Sequence, residues 1–230
     1  MLKADLHIHC KWDPEDKYIK DSAKDYIDYA AKLGFNVLSF TNHCDVFSTR
    51  SLQKYAIKKG IVLILGAEAK IEGKDVLLYN FTKNELSRIK TFKDLRAIKS
   101  AKHLVIAPHP FYPHFEINFK NRSIGKKLLE NIDLFDGIEF CHFYTSYLTF
   151  NKKAVLIAKK YKLALVGNSD AHALNHIGTT YSLINAKPNV CDVIAAIKQR
   201  KVRVVSSPRS TLSFLKIFFS HLCCRATKNL

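Results

Sequence analysis

Two histidines near the start of the chain, His7 and His9, stand at the end of a strand predicted over residues 2–8. Side chains two positions apart on a strand point to the same face, so both imidazoles can be aimed at one point. Imidazole nitrogens are common ligands of divalent metal ions. A His-x-His pair is a weak signal by itself, because three-residue patterns often arise by chance. Its weight depends on the polar residues that follow the later strands.

Apolar runs and helical spacings alternate along the rest of the chain. Further strands are predicted over residues 36–41, 61–65, 75–80, 103–107, 135–140, 163–166 and 202–205. Helices are predicted over 21–33, 49–59, 124–132, 148–161 and 190–199, with one or two more within 84–100. Apolar strands joined by helical crossovers indicate a parallel sheet in an α/β fold. About seven strands fit better than eight, so we expect a distorted (β/α)7 barrel, with an open doubly wound sheet as the alternative.

Residue types that bind metals follow one predicted strand after another. In a β/α barrel the carboxyl ends of the strands converge on one face. Buried histidines and carboxylates are costly without partners, and metal ions would satisfy them. Three or four ligands fill one site, so this set predicts two or three divalent transition metals, Zn, Mn or Fe, with a bridging carboxylate. The set is His7, His9, His43, Glu68, His109, His142, Asp170 and His172.

Five ordered motifs carry a resemblance to a known family. They are Asp5-Leu6-His7-Ile8-His9, Thr41-Asn42-His43, Gly66-Ala67-Glu68, Ala107-Pro108-His109-Pro110 and Ser169-Asp170-Ala171-His172. Together they resemble the motifs of the PHP (polymerase and histidinol phosphatase) family, from residue 2 to about residue 206. The resemblance implies a distorted seven-stranded β/α barrel with a trinuclear metal site that hydrolyses phosphoesters.

The resemblance also implies roles for single residues. His7 and His9 would hold one metal with Asp170, and Glu68 would bridge it to a second. That second metal would be bound by His109 and His142, and the third by His43 and His172. Asp170, Glu68 and His172 are expected to act in catalysis as well.

A further ligand is expected in the loop after the first motif. Asp13 is the candidate there, with Asp16 as its alternative. Glu139 has the opposite strand parity and is given less weight, as a residue that supports a ligand. The second motif departs from the common Thr-Asp-His-Asp pattern, since Asn42 and Cys44 stand at its acidic positions.

The chain is strongly basic. Lys and Arg number 37 and Asp and Glu 20, a formal net charge of +17. This balance favours phosphorylated metabolites, nucleic acid or an anionic membrane surface as partners, unless it is a general basic background. No acidic residue follows Asp192.

The domain organisation predicted is one barrel over residues 1–206 and a basic, partly apolar C-terminal segment over 207–230. Residues 211–222 have a helical apolar face that is expected to pack on the barrel, with membrane-surface binding as a minor alternative. This stretch is too short to span a bilayer. No signal peptide precedes the first strand, and the six cysteines do not form a disulfide pattern. We therefore expect reduced thiols and a cytoplasmic location.

The favoured function is a metal-dependent phosphatase acting on a small phosphorylated metabolite. A metal lowers the pKa of bound water from about 15.7 to about 7, so no Ser or Cys nucleophile is needed. The first alternative is an exonuclease or phosphodiesterase acting on DNA or RNA. Another is an amide-ring hydrolase, which Glu68 at the bridging position argues against. The last is an RNA-binding barrel, similar to ribonuclease P subunits, without catalysis.

Overall fold

A computed structural model of the chain describes residues 1–111 and 122–210. The strands of that part are β1 (Leu2–Ile8), β2 (Val37–Phe40), β3 (Val62–Ile71), β4 (Lys74–Tyr79), β5 (Leu104–Ala107), β6 (Gly137–Phe140), β7 (Ala164–Gly167), β8 (Thr180–Ile184) and β9 (Val202–Ser206). Its α-helices are α1 (Ala23–Lys32), α2 (Arg50–Lys58), α3 (Lys83–Ser87), α4 (Phe92–Ile98), α5 (Lys126–Glu130), α6 (Asn151–Tyr161) and α7 (Val190–Lys198). Two 3-10 helices cover Ile132–Leu134 and Leu174–His176.

The strands form one mixed sheet in the order β7-β6-β5-β4-β3-β2-β1-β8-β9. Strands β1 to β3 pair in parallel, and so do β5 to β7. Strand β4 is antiparallel to both β3 and β5, and β8 is antiparallel to both β1 and β9. The prediction of a wholly parallel sheet of about seven strands is therefore corrected to a mixed sheet that has nine strands in the described part. Strand β8 was not predicted at all.

The two ends of this sheet come back together, which makes the barrel nearly closed. Strand β7 lies in contact with both β8 and β9. The hydroxyl of Ser182 accepts a hydrogen bond from the Gly167 N–H at 2.9 Å and donates one to its carbonyl at 3.0 Å. A side chain thus joins these two strands where they meet. The distorted β/α barrel expected from the sequence is confirmed.

Apolar residues from most strands meet in one interior cluster. Ala4 and Leu6 of β1 belong to it, and Val193 and Ile197 of α7 pack against the same cluster. Ile8, two positions beyond Leu6, instead packs among the residues of α1 outside the sheet. The pairing register of β1 with β2 shifts between Asp5 and Ile8. Such an irregularity turns the strand, and here it re-aims the residues that end β1.

Three further predictions concern the C-terminal segment, membrane-spanning helices and the cysteines. The helix predicted over residues 211–222 lies outside the described residues, so the division at residue 206 stays a prediction. None of the helices in ranges 1–111 and 122–210 is long and apolar enough to cross a bilayer. The four cysteines within these ranges, Cys10, Cys44, Cys141 and Cys191, are unpaired.

Candidate metal centre

Four ligand-type side chains converge at the carboxyl end of the barrel. The Nε2 atoms of His7 and His9 are 3.1 Å apart. Oε2 of Glu68 lies 3.5 and 3.4 Å from them, and Oδ1 of Asp170 lies 3.3 and 3.5 Å from them. Metal–ligand bonds of about 2.0–2.2 Å at tetrahedral angles separate ligand atoms by about 3.3–3.6 Å. His7, His9 and Glu68 therefore form one group that could hold a divalent metal, and Asp170 lies against both of its imidazoles; these four residues are called here the central group.

Local backbone structure aims these four residues. The register shift in β1 turns His7 and His9 towards the interior of the barrel. Glu68 lies within β3, which continues to Ile71 and turns back into β4, whereas the sequence predicted a strand that ends before Glu68. Asp170 has a positive φ of 49°, a conformation that costs about 1–3 kcal/mol for a residue other than glycine. Strain of this kind is typical of functional sites.

Glu139 holds His7 in its orientation. Its Oε1 lies 2.9 Å from His7 Nδ1 and accepts a hydrogen bond from Asn168 Nδ2, also at 2.9 Å. Its Oε2 accepts one from the backbone N–H of His109 at 2.9 Å. With Nδ1 engaged, His7 presents Nε2 to the central group. Glu139 is therefore more important than its strand parity indicated, because a carboxylate that orients a metal-binding histidine tunes the affinity of that histidine for the metal.

Asp5, which sequence reasoning did not single out as a site residue, joins β1 to the segment that carries Asp170. Its Oδ1 accepts hydrogen bonds from the backbone N–H groups of His7 at 3.4 Å and Ser169 at 3.1 Å. Complete burial raises the pKa of Asp5 to about 7, although the hydrogen bonds from Ser169 lower it. In the sequence, Asp5 could have been identified as a site residue because it is the first residue of the Asp5–His9 motif.

A second group lies beside the central one and contains both aspartates of the loop after β1. Asp13 Oδ1 lies 3.0 Å from His43 Nδ1, and Asp13 Oδ2 lies 2.8 Å from His9 Nδ1. Asp16 Oδ2 lies 3.5 Å from His43 Nδ1 and 3.1 Å from His172 Nε2. Asp13 and Asp16, alternatives in the sequence, thus both face this group.

His109 and His172 complete the ring of ligand-type residues. His109 Nε2 is 3.6 Å from Oε1 of Glu68. One possible ligand atom each of His109, His7 and Asp170 lies within 4.8 Å of the other two. His172 groups with His9 and Asp170, and its Nδ1 lies 2.9 Å from the backbone carbonyl of Asp170. That contact leaves Nε2 of His172 facing Asp16.

His142 is the one predicted ligand that the structure does not bring into these groups. Four groups of ligand atoms lie within 4.8 Å of one another in the described residues, and His142 belongs to none of them. Burial lowers its pKa well below the usual value. Strand β6 ends at Phe140, and the next residue, Cys141, donates its backbone N–H to Asn151 Oδ1 at 2.8 Å. His142 therefore stands in a loop that α6 anchors, outside the four groups, and its role as a ligand stays a prediction.

Opposite charges stabilise one another across the site. Burial disfavours the charged forms of Glu68 and Asp170, but the neighbouring histidines hold the pKa of each carboxyl well below its usual value. Burial likewise opposes protonation of His109, yet Glu68 and Asp170 raise its pKa to about 9. The negative charges of these buried carboxylates are compensated only when protons or a metal cation lie between them. The electrostatics therefore favour cation binding at this place.

Comparisons with known proteins agree with this fold. The sequence model of the PHP domain matches residues 5–173, and that of the PHP-associated region matches residues 149–202. A two-domain protein from Bacteroides vulgatus, which contains a predicted PHP-like metal-dependent phosphoesterase, superposes with a TM-score of 0.67. It is 20% identical, and the match covers 95% of this chain and 69% of that one. PsfC from Pseudomonas syringae superposes with a TM-score of 0.62 at 16% identity, over 98% of each chain.

A curated relative is found among archaeal proteins. The uncharacterized protein MJ1587 of Methanocaldococcus jannaschii is 24% identical over 150 residues, which are 62% of this chain and 83% of the relative. The match to the PHP domain spans well over half of the 230 residues and includes every ligand-type residue of the four groups. On this evidence the chain belongs to the PHP domain family.

Proposed function

We propose that this protein is a hydrolase that cleaves phosphoester bonds with two or three divalent transition metals. One observation carries the proposal. The side chains of His7, His9, Glu68 and Asp170 converge, and the measured separations between their ligand atoms are 3.1–3.5 Å. Mixed imidazole and carboxylate ligands suit Zn, Mn or Fe. The substrate that we favour is a small phosphorylated metabolite.

The ligand atoms divide between neighbouring metal positions. The central group would hold one metal. Glu68 would bridge, because its Oε2 faces His7, His9 and His43 whereas its Oε1 faces His109. Asp13, Asp16, His43 and His172 offer ligand atoms for a further position. When bound, the metals would supply an activated water and positive charge beside the phosphoryl oxygens.

The residues around the metals would keep these donors in place. Glu139 and Asp13 each fix one ring nitrogen of a histidine, His7 and His9 respectively, so that the other nitrogen faces inward. Preorganised ligands lower the cost of binding a metal in one geometry. Asp170 and His172, which follow β7, would stand next to the reacting phosphoryl group together with Glu68.

The first experiment measures metal content in protein purified without chelator, alongside Glu68→Gln and Asp170→Asn. We expect two or three equivalents of transition metal in the wild type and a loss of metal in both variants. Removing the metal with a chelator should abolish hydrolysis, and adding Mn²⁺ or Zn²⁺ should restore it. Glu130→Gln, an exposed carboxylate on α5, is the matched control and should bind metal as the wild type does.

A substrate panel then separates the candidate reactions. Phosphomonoesters, phosphodiesters and oligonucleotides would be compared at several salt concentrations, because binding to nucleic acid weakens steeply with salt. Preference for small monoesters supports a metabolite phosphatase, whereas salt-sensitive cleavage of oligonucleotides selects the nuclease. Protein that binds no metal, even after Mn²⁺ or Zn²⁺ is added, would contradict the hydrolase and favour an RNA-binding barrel.

A further inference from the structure

Arg209 lies just after β9 and is held against the loop that follows β6. Its backbone N–H donates a hydrogen bond to the carbonyl of Tyr144 at 2.9 Å. The residue is half-buried, whereas its neighbours Pro208 and Ser210 are exposed. The segment after the last strand thus turns one cationic side chain back towards the barrel.

One edge of the Arg209 guanidinium makes no hydrogen bond to the described residues. Its Nε and Nη2 atoms are both buried and have no hydrogen-bond partner in the part of the chain that the structure describes. These two nitrogens form the side of the guanidinium plane whose parallel N–H groups match two oxygens of one phosphate or carboxylate. Buried donors of a cation are costly when unpaired, so this edge calls for an anion.

The hydrogen bond to Tyr144 places Arg209 at the end of the barrel that carries the candidate metal centre, because Tyr144 lies in the loop after the carboxyl end of β6. Electrostatic interactions of the guanidinium with Cys141 and with Asp170 of the central group agree with this placement. Burial lowers the pKa of Arg209, but its ordinary value is so high that the side chain stays charged. The unpaired edge therefore belongs to a cation at the same end of the barrel as the ligand groups.

Three other cations at this end of the barrel pair with carboxylates. Lys70 forms an ion pair with Glu15, and Arg122 donates to the same Glu15 at 2.8 Å. Lys83 lies 3.0 Å from Asp45. Arg209 differs from these three because its Nε and Nη2 have no hydrogen-bond partner within residues 1–111 and 122–210.

We propose that Arg209 binds the phosphoryl group of the substrate, with Nε and Nη2 donating to two of its non-bridging oxygens. This role rests on the proposed function, because the metals would hold the remaining phosphoryl oxygens. It makes the segment after β9 part of the substrate site. It also assigns a phosphate contact to one member of the basic run that follows Asp192.

The test measures equilibrium binding of inorganic phosphate by calorimetry to the metal-loaded full chain. The variants are Arg209→Ala and Arg209→Lys, and the control is Arg203→Ala, an exposed arginine on β9. We expect Arg209→Ala to weaken phosphate binding about 10- to 100-fold. Arg209→Lys should recover little, since an ammonium does not present two parallel donors. Arg203→Ala should bind phosphate as the wild type does.

Metal content, melting temperature and chemical rescue distinguish substrate contact from a structural role. Arg209→Ala should keep its metal and its melting temperature, and added methylguanidinium should restore part of its phosphate binding. Wild-type phosphate affinity in Arg209→Ala, or no phosphate binding by the wild type, would overturn the inference. So would weakened binding that is accompanied by loss of metal or by unfolding, without rescue.

Hydrolysis by the same proteins separates this inference from the proposed function. If the wild type binds phosphate through Arg209 but cleaves no ester, the proposed function fails and the phosphate contact stands. If Arg209→Ala cleaves phosphoesters with unchanged KM and kcat, the inference fails and the proposed function stands.

Discussion

At the residue scale, four of the five histidines in the ligand groups are fixed through one ring nitrogen each. In all four cases Nδ1 meets an oxygen of a carboxylate or backbone carbonyl, which leaves Nε2 for the interior of the site. Contacts of this kind select the tautomer and the orientation of a metal-binding imidazole. The pairs are His7 with Glu139, His9 with Asp13, His43 with Asp13, and His172 with the carbonyl of Asp170.

Glu139→Gln tests this arrangement. The substitution keeps the size of the side chain but removes the negative charge that faces His7 Nδ1 at 2.9 Å. We expect metal affinity to fall about 10- to 100-fold, as is usual when a carboxylate that orients a ligand is lost. Competition with a fluorescent chelator measures it.

Glu130→Gln is the control for this prediction, because Glu130 is an exposed residue of α5 whose ion-pair partner is Lys127. Its metal affinity should equal that of the wild type. If Glu139→Gln also binds metal as tightly as the wild type, Glu139 does not orient His7.

At the element scale, reciprocal hydrogen bonds begin three of the helices. In each, a Ser or Thr before the helix accepts from the third helical residue, whose carboxylate accepts from the Ser or Thr backbone. This capping box satisfies two backbone N–H groups that the helix itself cannot. The pairs are Ser22 with Asp25 in α1, Thr82 with Glu85 in α3, and Thr91 with Asp94 in α4.

The cap of α3 predicts a pH dependence of stability. The hydrogen bond from the Thr82 backbone N–H, with others from the Thr82 and Lys102 side chains, lowers the pKa of Glu85 to about 2. Because the folded-state pKa lies below the unfolded value, this stabilisation is complete above about pH 4.5 and is lost as pH falls towards 2. We expect Glu85→Gln to lower the free energy of unfolding by about 0.5–1 kcal/mol at pH 7 and by less at pH 3.

Urea denaturation of the wild type and Glu85→Gln at both pH values measures this difference. Glu130→Gln serves again as the control and should change the free energy of unfolding by less than about 0.5 kcal/mol at either pH. If Glu85→Gln lowers the free energy of unfolding equally at pH 7 and pH 3, the charge of Glu85 is not the cause of the effect.

At the scale of the whole molecule, closure of the barrel depends on a close approach at Gly167. A Cβ at this position would lie 2.8 Å from both the Tyr181 carbonyl oxygen and Cγ1 of Val204. Both atoms belong to strands β8 and β9, at the far end of the sheet from β7. A side chain here would push the two ends of the sheet apart.

Gly167→Ala should therefore destabilise the protein by about 1–3 kcal/mol, the usual cost of overpacking. It should also weaken metal binding, because Asp170 follows three residues later. Gly137→Ala on β6 is the milder comparison, since its nearest backbone neighbour is 3.2 Å away. Denaturant titration and metal titration check both variants. Equal stability of Gly167→Ala and the wild type would show that the closure tolerates a methyl group.

Several features of the site were decided by contacts between distant segments. The turn of β1 that aims His7 and His9 follows from its register with β2, and β3 extends past Glu68 because it pairs with β4. Glu139 reaches His7 from β6, on the other side of the barrel, in spite of its strand parity. Arg209 lies against the loop after β6 because the chain folds back after β9.

Local patterns in the amino-acid sequence were enough to predict the class of fold and most of the residues that the structure brings into the ligand groups. Apolar runs, helix caps and the identity of the polar residue after each strand are local properties, readable without knowing which strands pair. Strand direction, register and closure are not local, because they depend on partners more than 30 residues away, such as Glu139 for His7. Contacts between distant segments therefore make the sheet mixed, bring Asp13 and Asp16 together at the site, and leave His142 outside the ligand groups.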